Sequence, residues 1–279
     1  MIDPFRARML VLARRAAQEC GLEILLVGAT ARDVLLGKYN INTGRATRDV
    51  DIAVAVETWE EFDRLQQRLV DTGQFTVSTG QLQRHIFRDE RIDSDSWIDI
   101  IPFGGIEDEN RKIRWPPDEA FELNLTGYQD AFESSREVEV APELTLNVVS
   151  LSGLSALKLI AWDDRKDRLE DRDAHDFTVI ARSYLDAGNN VRLYAELPDL
   201  VEQDGFDYTL AGAHLLGYDM QRTLAEETVN YVVEILTREV DLNGNLRLPS
   251  VMTKSIIDIE DTFDHCLMVA NEVLAGLKR

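Results

Sequence analysis

Apolar and polar positions along the first half of the chain change period repeatedly. Phe5, Met9, Leu12 and Ala16 recur at helical spacing over residues 4–20, and Gly21 follows as a stop. Residues 24–27 are a short, wholly apolar run, the pattern of a buried strand. Gly28-Ala29-Thr30 reads as a turn, and residues 31–36 as a short helix closed by Gly37. After a polar stretch, residues 49–56 alternate strictly, with Val50, Ile52, Val54 and Val56 on one face of a strand. Thr58 and Glu61 have capping-box spacing and predict a helix to about Val70, stopped by Gly73. Strands are predicted at 75–77, 82–88 and 97–103, with a further pair at 138–140 and 144–148.

From Ser150 onward the period is helical. Segments 152–165, 174–187, 210–217, 222–238 and 255–277 read as helices, with no strand among them. The chain therefore divides into an N-terminal α/β domain, residues 1–150, and a helical domain, residues 151–279.

Composition changes this picture little, but charge does. The 279 residues are 44% hydrophobic and 29% charged, an ordinary globular composition. With 51 acids against 30 bases the net charge is −21, which disfavours coating nucleic acid or anionic membrane with the whole surface. The bases are segregated: Arg32, Lys38, Arg45, Arg48, Arg84, Arg88, Arg111, Lys112, Arg114, Lys158, Arg165 and Arg172 all lie in the first two thirds. Residues 196–264 are strongly acidic. Two cysteines, no signal-peptide pattern and no bilayer-length apolar run lead us to expect a cytoplasmic protein without membrane contact.

The chemistry centres on carboxylates. Asp49 and Asp51 would point the same way from their strand, about 6–7 Å apart. In so acidic a chain such a pair also fits a solvated edge, and Asp93/Asp95 and Asp171/Asp173 repeat the pattern. Asp99 is more telling, because it interrupts the apolar run 97–103; a charge there must be paired, neutralised or metal-bound. If the two strands are neighbours, each carboxylate pair at about 4 Å repels by about 4 kcal/mol at an effective dielectric of about 20. Magnesium or manganese would relieve that, and two such ions suit an in-line phosphoryl displacement.

Other positions leave two readings open. Gly28, Ala29 and Thr30 either form an ordinary strand-to-helix turn or present a helix N-terminus to an anion. Lys158 sits beside Leu154, Ala161 and Trp162 on its helix; it either snorkels or delivers its ammonium to a triphosphate in an interdomain cleft. Arg32 is either a phosphate ligand or the partner of an adjacent carboxylate, and His85 and His175 stand alone.

The order Gly28-Ala29, Asp49-x-Asp51, Asp99 resembles the polymerase-β-type nucleotidyltransferase superfamily. Residues 26–37 are similar to the opening of CCA-adding tRNA nucleotidyltransferase heads. Residues 154–165, followed by Arg172-Asp173-Ala174-His175-Asp176, resemble AbiEii/AbiGii-type toxin nucleotidyltransferases. The resemblance spans roughly residues 24–180 and implies an α/β (α+β) head with a mixed sheet, then an all-helical domain lending a lysine-bearing helix to the cleft. It implies that Asp49, Asp51 and Asp99 bind Mg²⁺ or Mn²⁺, with Asp99 helping to deprotonate the acceptor. Gly28, Ala29 and Thr30 would cradle the NTP triphosphate, and Lys158 would neutralise it with help from Arg165. Asp176 takes the last acidic position of the toxin pattern, with a capping or Arg172-pairing part equally open. One departure is Ala29, where the family has serine or glycine, so that Thr30 would have to supply the hydroxyl. The long stretch 38–48 reads as a flap over the nucleotide.

The implied activity is transfer of an NMP from an NTP to an acceptor hydroxyl, on the tRNA 3′ end or a protein, by the toxin of a toxin–antitoxin or phage-defence system with a cognate antitoxin. Two alternatives stand beside it: a small-molecule, antibiotic-type nucleotidyltransferase, and a non-catalytic nucleotide- or partner-binding module.

Overall fold

The computed structural model describes residues 2–44, 49–89, 96–165, 171–254 and 262–279. Contacts gather the chain into two compact units, Met1–Val34 with Gly44–Val149, and Leu35–Thr43 with Ser150–Arg279.

The first unit is built on a mixed seven-stranded sheet, ordered β3-β4-β5-β2-β1-β9-β8. Its strands are β1 (Ile24–Val27), β2 (Val50–Val56), β3 (Phe75–Val77), β4 (Arg84–Phe87), β5 (Ser96–Gly104), β8 (Arg136–Ala141) and β9 (Leu144–Val148). β1 is buried at all four positions, as its unbroken apolar run requires. It pairs antiparallel with β2 and parallel with β9, while β2 pairs parallel with β5. Helix α1 (Pro4–Glu19) opens on Asp3, whose carboxylate accepts from the N–H groups of Phe5 and Arg6. Helix α3 (Trp59–Asp71) opens on Thr58, which accepts from the Glu61 N–H as the capping pattern predicts. Three elements of this unit escape the sequence pattern: the small hairpin β6 (Lys112–Arg114) with β7 (Glu122–Asn124), and helix α4 (Tyr128–Glu133). The hairpin strands are only three residues long, too short for a period to register, and Trp115 beside them stacks near Trp59 and Phe62 of α3.

The second unit is helical throughout its described residues. Its main helices are α5 (Leu151–Arg165), α6 (Arg172–Arg182), α9 (Tyr208–Thr223), α10 (Glu226–Glu239) and α12 (Phe263–Leu277), with shorter α7 (Asn190–Glu196), α8 (Pro198–Val201) and α11 (Arg247–Thr253). Residues 255–261, the first part of the last predicted helix, lie outside the described residues. Gly217 does not end its helix; α9 continues through it to Thr223. The glycine serves packing instead, since a Cβ there would overlap the Val273 backbone, and one at Gly276 the His214 backbone. Two glycines thus let α9 and α12 approach at backbone distance. No described helix is long and apolar enough to cross a membrane.

Candidate active site

Register lays the acidic residues in one line across the first unit. Arg84 on β4 lies opposite Asp99 on β5, Asp99 opposite Asp51 on β2, and Asp51 opposite Val27 at the end of β1. Paired residues in a sheet share a face, so Asp51 and Asp99 are side by side on one surface. Asp49 precedes the first residue of β2. Helix α2 (Gly28–Gly37) begins immediately after β1, with no intervening turn residues.

Two features of this junction differ from the sequence expectation. Gly28 has φ +67°, and the space a Cβ would occupy is filled by the Asp51 carboxylate. The glycine therefore makes room for an aspartate of the same site as well as for close backbone approach. The Thr30 hydroxyl does not face outward to replace the missing serine: Thr30 is fully buried, and its Oγ1 donates to the Asp49 carbonyl oxygen at 3.1 Å. That bond ties the start of β2 to the start of α2, leaving backbone N–H groups as what this turn offers an anion. Gly28→Ala should therefore push the Asp51 carboxylate aside while adding about 1–2 kcal/mol of left-handed backbone strain. We expect transfer to fall at least about a hundredfold, a loss of the size seen when a preorganised charge contact is removed. Unchanged single-turnover transfer by a folded Gly28→Ala protein would refute this role for the space.

Asp99 is paired. Arg84 Nε donates to Asp99 Oδ1 at 2.8 Å and its Nη2 to Oδ2 at 2.7 Å, a bidentate fork. The guanidinium also lies 4.4 Å over the Trp97 ring. These bonds to Asp99 raise the Arg84 pKa above its ordinary value; burial opposes them, and the charges of Asp99, Asp49 and Asp51 add to them. All three candidate carboxylates are thus felt at one guanidinium. Among the described residues no three acidic, histidine or cysteine side chains are gathered as a ready metal cage. The donor set is nonetheless hard oxygen throughout, chemistry that suits Mg²⁺ or Mn²⁺.

His85, next along β4, is fully buried, and neither ring nitrogen makes a hydrogen bond among the described residues. Burial pushes its pKa down to about 4, against the opposing pull of the Gln83 backbone and the Asp99 charge, so it is neutral at physiological pH. A histidine at about 4 when folded and 6.5 when unfolded takes up its proton more readily in the unfolded chain across that window. Stability is therefore full above pH 6.5 and falls as pH drops towards 4, by about 3 kcal/mol in total. His85→Leu should flatten this part of the urea stability profile between pH 6.5 and 4; equal slopes for the two proteins would count against it.

Within the second unit, Lys158 is held by acids. Its Nζ lies 3.0 Å from Asp173 Oδ1 and 2.7 Å from Asp176 Oδ2, while Arg165 Nη2 reaches Asp173 Oδ2 at 2.5 Å. The geometry follows from spacing: Lys158 and Arg165 are seven apart on α5, Asp173 and Asp176 three apart on α6, and the two faces meet. Burial pushes the Asp173 carboxyl up, but the charges of Lys158 and Arg165 outweigh it and hold the group below the usual carboxylate range. Lys158 is thus a partner of Asp176. Asp173, which the sequence offers as half of a D-x-D and within the Arg172–Asp176 element but with no role of its own, is central to the cluster.

Arg32 is wholly buried, with Nε and Nη2 on Asp33 Oδ1 at 3.0 and 2.7 Å, the ion-pair alternative of the two readings. Ala29 is buried at the head of α2. Of the stretch 38–48 read as a flap, the first part groups with the helical unit, which takes Leu35–Thr43. Tyr39 fills the space left by Gly188, and the Thr43 carbonyl lies 3.2 Å from His175 Nε2, so this segment packs within the helical unit. Residues 45–48 lie outside the described residues.

The family description "Nucleotidyl transferase AbiEii toxin, Type IV TA system" matches residues 10–244. No curated protein matches the chain. Among solved structures, it resembles the antibiotic-resistance factor ANT(2'')-Ia at 15% identity, covering 71% of this chain and 97% of that one with a TM-score of 0.40. It also resembles a putative nucleotidyltransferase from H. pylori, at 11% identity over 99% and 96% of the two chains, TM-score 0.39. The Thermotoga maritima CCA-adding enzyme complexed with tRNA is more distant, at 12% identity over 99% and 82%, TM-score 0.26.

Proposed function

Since the chain belongs to the AbiEii nucleotidyltransferase toxin family and is an NTP-using nucleotidyltransferase, we propose that it moves an NMP from an NTP to a macromolecular hydroxyl, releasing pyrophosphate. The observation that carries this reading is the line Asp51–Asp99 on paired strands, with Asp51 seated against Gly28 at the head of α2. In it Asp49, Asp51 and Asp99 would hold the divalent cations that accompany the nucleotide, and Asp99 also accepts the proton of the attacking hydroxyl at a carboxylate oxygen. The N–H groups of Ala29 and Thr30 orient the phosphates. Divalent metal, when bound, polarises the phosphoryl group and lowers the pKa of the acceptor hydroxyl. Lys158 with Arg165 is the cationic pair that the reading assigns to the triphosphate, and Asp173 and Asp176 fix its ammonium in the nucleotide-free protein.

The acceptor is the tRNA 3′ end or a protein hydroxyl, and the toxin's action is countered by a cognate antitoxin. Incubating the protein with each α-labelled NTP, Mg²⁺, and either total tRNA or lysate protein tests the reading. Label on one of the two polymers, abolished by EDTA, supports it. Label appearing only on an added small cationic acceptor such as an aminoglycoside would replace it with the small-molecule activity.

A further inference from the structure

Arg84 has no part in the reaction as proposed, yet it is engaged by both oxygens of Asp99 and by the Trp97 ring. It faces Asp99 by strand register, spends two N–H donors on both oxygens of that carboxylate, and lies over Trp97. Its side chain is nevertheless 24% exposed, so the guanidinium has solvent beside it. The two charges are thus matched in the free protein by a group that carries one unit of charge spread over a plane. A divalent cation at the same carboxylate would be compact and doubly charged, and the guanidinium in its present place would repel it.

We propose that Arg84 is a positioning residue, the resident counter-ion of Asp99, which Asp99 exchanges for the divalent cation only when the nucleotide arrives. This rests on the reading of Asp49, Asp51 and Asp99 as the metal and nucleotide centre. The free protein then binds divalent cation weakly. The triphosphate changes the balance twice: its oxygens add ligands for the cation, and its charge gives the released guanidinium a new anion. The order of binding is built into a salt bridge. Arg84 occupies both oxygens of the carboxylate that a cation would take up, so the two cations compete for Asp99.

The test is Mn²⁺ binding without nucleotide, followed by electron paramagnetic resonance, for wild type, Arg84→Gln and Arg84→Lys, with folding monitored by circular dichroism. Removing the charge should tighten Mn²⁺ binding at least about tenfold. Arg84→Lys keeps the charge but loses the fork, and should tighten it by about threefold. Unchanged or weaker Mn²⁺ binding by Arg84→Gln would overturn the proposal, and if that variant does not fold, an affinity for Arg84→Lys equal to wild type does so. Adding a non-hydrolysable NTP to wild type separates the two levels. No joint binding of Mn²⁺ and nucleotide would remove the parent reading, whereas normal joint binding with an unaltered Arg84→Gln removes only the counter-ion.

Discussion

Asp99→Asn should lower nucleotidyl transfer at least about a hundredfold, the low end for loss of a general base. The substitution is nearly isosteric, so the β5 backbone and its pairing to β2 and β4 should persist. Binding of the NTP should change little, because Asp49 and Asp51 remain. Its effect on stability is set by Arg84. An asparagine can accept one of the two N–H groups that Asp99 now accepts, but its amide nitrogen would face the other donor. Losing a charge-assisted fork at a partly exposed position should cost about 1–2 kcal/mol. Single-turnover label transfer beside a urea melt and a nucleotide titration reads all three quantities. Near-normal transfer would show that the proton acceptor lies elsewhere.

Lys158→Met should produce the largest loss of stability in the helical unit. Asp176 is fully buried and Asp173 nearly so, and Lys158 touches both. Removing the ammonium takes one cation from two buried carboxylates, and breaking a buried pair in this way costs about 3–5 kcal/mol. A nucleotide assay on that variant alone would therefore confuse binding with unfolding. The double variant Lys158→Met/Asp176→Asn removes the stranded charge as well and should recover part of the loss. Equal urea midpoints for wild type and Lys158→Met would show that the cluster contributes nothing to the fold.

Much of this arrangement was legible from period and spacing. β1, β2, β3, β9, α1 and α3 follow from apolar patterning and caps, because each buries one face or both and is long enough to repeat. Residues 154–165 with the Arg172–Asp176 element pointed to the family that the match over residues 10–244 establishes. Register was the missing quantity. Nothing in the sequence places Arg84 opposite Asp99, since the strands holding them are joined through residues 88–95 and their pairing depends on tertiary closure. The Lys158 cluster was half legible: spacings of seven on one helix and three on the next predict two matching faces, but only their packing shows that they meet. Gly217 misled for a related reason, as a glycine required for close helix approach looks in sequence like one that ends a helix.

The return of Leu35–Thr43 to the helical unit has a consequence for how such a protein can be taken apart. The chain passes from one unit to the other at residues 34–35, 43–44 and 149–150, so no single cut yields two complete pieces. A fragment ending at Val149 would carry a stranded segment whose Tyr39 has lost the Gly188 seat, and the complementary fragment would keep that seat empty. Exchange of helical units between relatives at one crossover point would likewise graft a unit onto a foreign strap. The workable module boundary is therefore a set of three positions, and inheritance of the two halves is coupled by the path of the chain.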